Sequence, residues 1–436
     1  MSEDCVPPSS PLPPSYSPPD ASPPYASEPH DDERRLDYVA RVNSRTPHGV
    51  YTKATRRVSV TLRNQEDGLD MPVYARHTIV AGDITLRDRD VSSVSVKLEG
   101  RQTMSLVEGG SCSRVLFATK HSLWRRGEQA QCPRTIPFFV PFPPTCSSKS
   151  GDTPTPPSYE VSFTGAPGLR VQIFYFLSIS IKRPPLSLWN RHTTIVIPVK
   201  YQPRSRPYLP ISPGLYPFLS TVKTAPEEWH QISSPITSLI RSPTRVHSLT
   251  VNTQLFIPAV QIYGLPDIIP FHVQVTGSTK SLSYLNPYLF IGGTAEDLMS
   301  LHSVRTREQQ QQQPRDELVL RVYLLRQVTA RVNGQKAWRN TVIGEGALWP
   351  AGRPPDIEQD AHAAARSALD WAGELRVDKD VTAPSFSAGD LTVKDFIIVQ
   401  LSPARADRSP LAEMQISHPV RLVTDTYRDV PEPSAR

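Results

Sequence analysis

Glycine, cysteine and long apolar runs are all scarce in this sequence. Of 436 residues, 21 are Gly and four are Cys (Cys5, Cys112, Cys132 and Cys146), with no C-x-x-C pair among them. A chain this long needs no disulfide staples, and without paired spacing the cysteines read as free thiols rather than a structural zinc site. The longest apolar stretch, 173–181, is broken by Ser178 and Ser180 and is about half the length of a bilayer-spanning helix. No membrane span is expected. The amino terminus is acidic and Pro-rich, where a secretory signal would be basic and then apolar, so a cytoplasmic protein is expected.

The motifs of the common catalytic machineries are missing too. The chain has no G-x-x-x-x-G-K-[ST], no G-x-G-x-x-G between strand and helix, no H-E-x-x-H and no G-x-S-x-G. Its eleven histidines show no metal spacing. The sequence therefore points away from an enzyme and toward binding, with no cofactor and no metal expected. Acidic residues are absent from 161 to 226, while Arg170, Lys182, Arg183, Arg191, Lys200, Arg204, Arg206 and Lys223 supply eight cations there. Without a recognition helix or base-stacking aromatics this does not suit nucleic acid. Phosphorylated peptide or an anionic membrane surface fits better, with Lys200, Arg204 and Arg206 as the anion-binding candidates and a merely solvated basic face as the alternative.

What the chain has in abundance is proline, 46 in all. Long helices are disfavoured accordingly. Ten prolines and seven serines fall in the first forty residues, so 1–45 reads as a disordered tail that cannot bury enough apolar area to fold. From Arg57 the pattern becomes period two: Val58, Val60 and Leu62; Val94, Val96 and Leu98; then Val171, Ile173, Tyr175, Leu177, Ile179 and Ile181. Such alternation puts apolar side chains on one face of a strand. Strands follow one another across turn clusters, which argues for an antiparallel β-sandwich over 46–200. A Pro-rich stretch, 201–248, reads as a connector, and strands at 249–257, 268–275, 318–332, 374–377, 391–401 and 420–423 predict a second sandwich over 249–428, followed by a short tail, 429–436. One helix is expected in the Ala-rich 358–371, and solvent loops at the Gln run 309–313 and around 350–355.

In that order, VYARHTIVAGDITL (73–86), VSSVSVKLEG (91–100), TIPFFVPFPP (135–144), TPPSYE (155–160) and VQIFYFLSISIKR (171–183) resemble the amino-terminal domain of the arrestin family. IPFHVQVTGS (269–278), VYLLRQV (322–328), DWAGELRV (370–377), LTVKDFIIVQL (391–401) and PVRLVTD (419–425) are similar to its carboxy-terminal domain. Together they span about 50–428, and the likeness is to fungal arrestin-like proteins, nearer the α-arrestins. The resemblance implies an all-β fold of two immunoglobulin-like sandwiches in tandem. It also implies a non-catalytic adaptor that binds cytoplasmic segments of membrane transporters or receptors and recruits a HECT-type ubiquitin ligase through PPxY motifs, at the plasma membrane or endosomes. A structural subunit of an endosomal sorting coat, like the retromer's arrestin-fold subunit, is the alternative, and it would recruit no ligase.

Two PPxY motifs are present. Pro13, Pro14 and Tyr16 form the first, in the tail. A polyproline II segment loses little entropy on docking, and its three residues per turn put Pro13 and Tyr16 on one face, which suits the aromatic groove of a WW domain. Given ten Pro and three Tyr in forty residues, chance supplies about 0.2 such motifs there. Pro156, Pro157 and Tyr159 form the second, at the start of a strand, where packing of Tyr159 competes with WW binding. Ser10, Ser17 and Ser22 each precede Pro and could add phosphate charge beside the first motif.

Overall fold

The computed structural model describes residues 37–38, 48–88, 90–127, 131–148, 151–184, 192–212, 218–241, 246–278, 282, 318–351, 366–403 and 414–428. The tail PPxY, the Gln run, most of the 350–355 loop and the 429–436 tail lie outside these residues. The first half supplies β1 (Asp37–Tyr38), β2 (Gly49–Ala54), β3 (Val58–Gln65), β4 (Val73–Tyr74), β5 (Ile79–Leu86), β6 (Ser93–Leu106) and β7 (Gly110–Arg125). It continues with β8 (Thr135–Pro141), β9 (Thr145–Ser148), β10 (Gly151–Pro154), β11 (Tyr159–Phe163), β12 (Leu169–Lys182), β13 (His192–Tyr201) and β14 (Ser205–Arg206). Strands β2-β3-β5-β8 form one sheet, and β4-β13-β12-β6-β7, with β11 on β12, form the other.

The period-two runs are what these sheets bury. Val171, Ile173, Tyr175, Leu177, Ile179 and Ile181 of β12 are all 2% exposed or less, and they face Val58, Val60 and Leu62 of β3 within one core. Gly100 of β6 is dictated by this packing, since a Cβ there would lie 2.5 Å from the Tyr175 ring. The β6–β7 register slips between Gly100 and Arg101, a bulge at the residue that lacks a side chain.

The second half carries α1 (Phe218–Thr224), then β15 (Trp229–Arg241), β16 (Val246–Pro258), β17 (Ile262–Gly264), β18 (Ile268–Ser278) and β19 (Leu318–Val332). It ends with β20 (Gln335–Pro350), β21 (Arg366–Arg376), β22 (Phe386–Ala388), β23 (Leu391–Pro403) and β24 (Met414–Val423). Their order is β15-β16-β18-β21-β20-β19-β23-β24-β17, with β22 on β23. This ten-stranded sheet folds over on itself because β20 serves both layers: its first part pairs with β19, and Gly346 to Pro350 pair with β21. The crossover falls at Gly344 and Gly346. A Cβ on Gly344 would collide with the Arg376 carbonyl, and one on Gly346 would stand 2.7 Å from the Val322 carbonyl oxygen.

The chain is thus two β-sandwiches in tandem, antiparallel except for the short parallel pairs β4–β13 and β17–β24, with three corrections to the expected boundaries. The connector is not 201–248, because β13 runs to Tyr201 and Trp229–Arg241 is a full strand, leaving 207–228 between β14 and β15. Serines and Pro235 hide the alternation of β15, which tolerates a proline because it is an edge strand paired only with β16. The Ala-rich helix fails from Arg366 onward: that segment is β21, hydrogen-bonded between β18 and β20, and sheet pairing on both sides overrides the helix preference of alanine. Finally, Asp37 and Tyr38, inside the expected tail, pair with Arg206 and Ser205.

Candidate functional site

The place where the sandwiches meet is built by β19 and β23. On the inward face of β19, Val322 and Leu324 belong to the second sandwich's core, whereas Val328, Ala330 and Val332 pack into the first sandwich's core. Strand β23 divides the same way, with Leu391 and Val393 on one side and Ile397 and Val399 on the other. Between the two apolar sets, in the same inward phase and opposite each other across the ladder, stand Arg326 and Asp395.

This pair is buried, with side chains 5% and 0% exposed. Arg326 donates from Nε to Asp395 Oδ1 (2.8 Å), from Nη2 to Oδ2 (3.0 Å) and from Nη1 to the Ala383 carbonyl (2.9 Å). Ser385 donates its hydroxyl hydrogen to Asp395 Oδ2 (2.6 Å) and accepts from the Leu422 N–H (2.9 Å). A two-point fork with its remaining groups satisfied is the geometry in which a buried ion pair can offset its desolvation. From the first sandwich, Tyr159 sets its ring edge-on to Phe386, centroids 5.3 Å apart. Burial pushes the Tyr159 hydroxyl up to about 12, with the Arg326 charge acting downward and Asp395 upward.

Elsewhere the junction is polar. Gln102 donates to the Ala388 carbonyl (3.3 Å), Asn333 to that of Gly109 (3.0 Å) and Arg339 to that of Pro167 (2.8 Å). Ser205 and Thr424 exchange backbone and hydroxyl bonds at 2.7 and 2.9 Å. Beside them opens a cleft of about 110 Å³, walled by Pro144, Pro156, Pro157, Pro203, Pro384 and Phe386 among others. Its walls come from both sandwiches, Pro144, Pro156 and Pro157 from the first and Pro384 and Phe386 from the second.

The residues singled out in the sequence have different fates. Pro13, Pro14 and Tyr16 lie outside the described residues. Pro156 and Pro157 are buried, the Pro156 carbonyl accepts the Tyr175 hydroxyl (2.5 Å), and Tyr159 is packed in the junction, so the second PPxY is not open to a WW domain in the folded chain. The anion-binding set is not delivered as three available cations either. Arg204 donates from Nε and Nη2 to the Asp425 carboxylate, Arg206 is a half-buried residue of β14, and Lys200 is a half-buried residue of β13. The acid-free run 161–226 is answered from outside itself: Arg170 pairs with Glu160, Arg183 with Asp88 and Arg204 with Asp425. Arg326 and Asp395 were missed, although each is the single charge in the inward phase of an otherwise apolar alternating run, and the two are opposite in sign.

His272 Nε2 lies 3.0 Å from Asp370 Oδ1, but the Phe218 ring covers the imidazole at 3.7 Å, which makes the pair a support for α1. Among the described residues no group of three His, Cys, Asp or Glu is placed to hold a metal. No helix among them is long and apolar enough to cross a membrane. Among the described residues no disulfide joins Cys112, Cys132 and Cys146, the last two of which are buried.

No family model matches the chain, and no curated protein matches it. Among solved structures, squid arrestin is similar over 88% of this chain and the whole of that one, at 9% identity and a TM-score of 0.37.

Proposed function

We propose that this chain is a non-catalytic adaptor of the arrestin type, in which the two sandwiches hold a cytoplasmic segment of a membrane protein and the tail motif Pro13-Pro14-Ser15-Tyr16 recruits a WW-domain ubiquitin ligase of the HECT class. The observation that carries the reading is the junction: two β-sandwiches in tandem, as the sequence resemblance implies, meeting at a buried Arg326–Asp395 pair and creased by a proline-walled cleft. Tethering a weak peptide contact to a rigid cargo-holding body raises the effective concentration of ligase at cargo lysines.

Pulldown of the full chain on isolated WW domains of a HECT ligase tests it. Tyr16→Ala abolishes capture and leaves thermal unfolding unchanged. Tyr159→Ala costs about 2–4 kcal/mol of stability and leaves capture intact in the fraction that folds. Loss of capture in Tyr159→Ala without loss of stability, together with full capture by Tyr16→Ala, refutes the assignment. Persistence of capture in both variants refutes PPxY recruitment altogether.

A further inference from the structure

The outward face of the larger sheet of the first sandwich holds a cluster that neither the junction nor the PPxY motif uses. Glu99 of β6 lies only 1% exposed at its centre and accepts from Lys97 Nζ and Arg101 Nε of the same strand. Burial alone raises the Glu99 carboxyl, but the two cations outweigh it and hold the group below its ordinary range. Apolar side chains frame these ions. Cross-strand register sets Val115 and Phe174 on either side of Arg101, and Ala118 and Phe176 on either side of Glu99. Phe174 and Phe176 stack at 6.1 Å, and the Arg101 guanidinium stands 5.9 Å from the Phe176 centroid. Phe174, Val115 and Val196 are 41%, 47% and 46% exposed.

The charge on this face is one-sided. Lys97, Arg101, Lys120, Arg170, Lys182 and Lys200 share the outward phase with two carboxylates, Glu99 and Glu160. Lys97 and Lys120 stand directly opposite each other on β6 and β7, a placement that costs stability in a free sheet. Glu99 answers Lys97, and Lys120 has no ion pair among the described residues.

We infer that this face docks an acidic segment of a partner protein that interleaves aromatic or aliphatic side chains with its carboxylates. Carboxylates would relieve Lys120 and its neighbours, and apolar side chains would cover Phe174, Val115 and Val196. A membrane fits less well, because Phe176 is half-buried and Phe174 is only partly exposed, so little apolar area can enter a bilayer. The inference is independent of ligase recruitment, since it uses no residue of either PPxY motif.

Selection of random twelve-residue displayed peptides on the full-length protein tests it. Enriched clones carry several Asp or Glu around Phe, Leu or Ile. Their affinity falls about tenfold in Phe174→Ser and about fivefold in Lys120→Glu, and charge-reversed Lys versions do not bind. Val196→Ser, at a second exposed position, shows the same loss should Phe174→Ser disturb the fold. Enrichment without acidic bias, or clones that bind these variants as well as the parent protein, overturns the inference. So does Phe174-dependent sedimentation with phosphatidylcholine–phosphatidylserine vesicles in the absence of acidic clones, which would make the face a membrane contact.

Discussion

Removing the Asp395 charge alone, as Asp395→Asn, leaves the side chain its size and strands a guanidinium that is only 5% exposed. Two charge-assisted bonds, at 2.8 and 3.0 Å, lose their anionic acceptor, and the Ser385 hydroxyl loses its carboxylate. Uncompensated burial of this kind costs about 3–5 kcal/mol. Arg326→Met strands the carboxylate instead and costs a similar amount. The double variant Arg326→Met/Asp395→Leu replaces both charges by apolar groups in a site already flanked by Leu324, Val328, Val393 and Ile397, and it unfolds within about 1 kcal/mol of the parent or above it. Urea unfolding of the parent, Arg326→Met, Asp395→Leu and the double variant closes a double-mutant cycle, with a coupling energy of at least about 2 kcal/mol expected. Because the pair sits where the two cores abut, the single variants also split one unfolding transition into two. Single variants that each cost under about 1 kcal/mol, or a double variant that costs the sum of the singles, would refute the claim that the pair is mutually compensated.

Three further outcomes follow from the same structure. Folded Tyr159 keeps its proton to about pH 12 whereas the unfolded chain releases it near 10.0; the folded state thus holds more protons between those values, and its contribution, whole below pH 10, is lost as the pH rises to 12. Tyr159→Phe therefore flattens the alkaline fall in stability by about 1.4 kcal/mol per pH unit in that window, read by urea titration at several pH values. Gly344→Ala, whose Cβ would strike the Arg376 carbonyl, costs upward of about 2 kcal/mol. Gly334→Asn, at φ +87 with open space around it, changes stability by under about 0.5 kcal/mol, since Asn tolerates left-handed backbone.

Alternation made the sandwiches legible where one face of a strand meets a core and the other meets water. The inward phase of β12 could be read residue by residue, and Leu318–Val332 was bounded as it occurs. Alternation failed where the environment differs. Strand β15 lies at an edge and carries serines and a proline, so its pattern resembles a linker. Strand β20 changes layer midway, so its inward phase is not the same along its length. Strand β21 takes its conformation from partners on both sides, and these are distant in sequence. The Arg326–Asp395 pair needs the β19–β23 register before the two lone charges can be seen as one feature.

The tetrapeptide PPSY occurs twice, at 13–16 and at 156–159, with no difference in its own four residues. Any preference for polyproline II, and the phase between the first Pro and Tyr, is therefore the same in both copies. What separates them is the sequence that follows. After Tyr159 comes EVSF, whose Val161 and Phe163 continue the phase of Tyr159 and pair in β11 with Val171 and Leu169, so the tyrosine is drawn into a sheet and onto Phe386. After Tyr16 comes SPPD, which has no apolar phase to continue and two prolines that cannot donate to a ladder. Transplanting the following residues should therefore transplant the role. Replacing residues 17–20 leaves Tyr159 in the fold, whereas replacing residues 160–163 by SPPD removes the strand that holds it. The second replacement should unfold the junction and expose a new WW ligand, seen as increased WW capture by the Tyr16→Ala protein. If that protein is destabilised yet stays uncaptured, PPSY by itself is not sufficient for WW recognition in this chain.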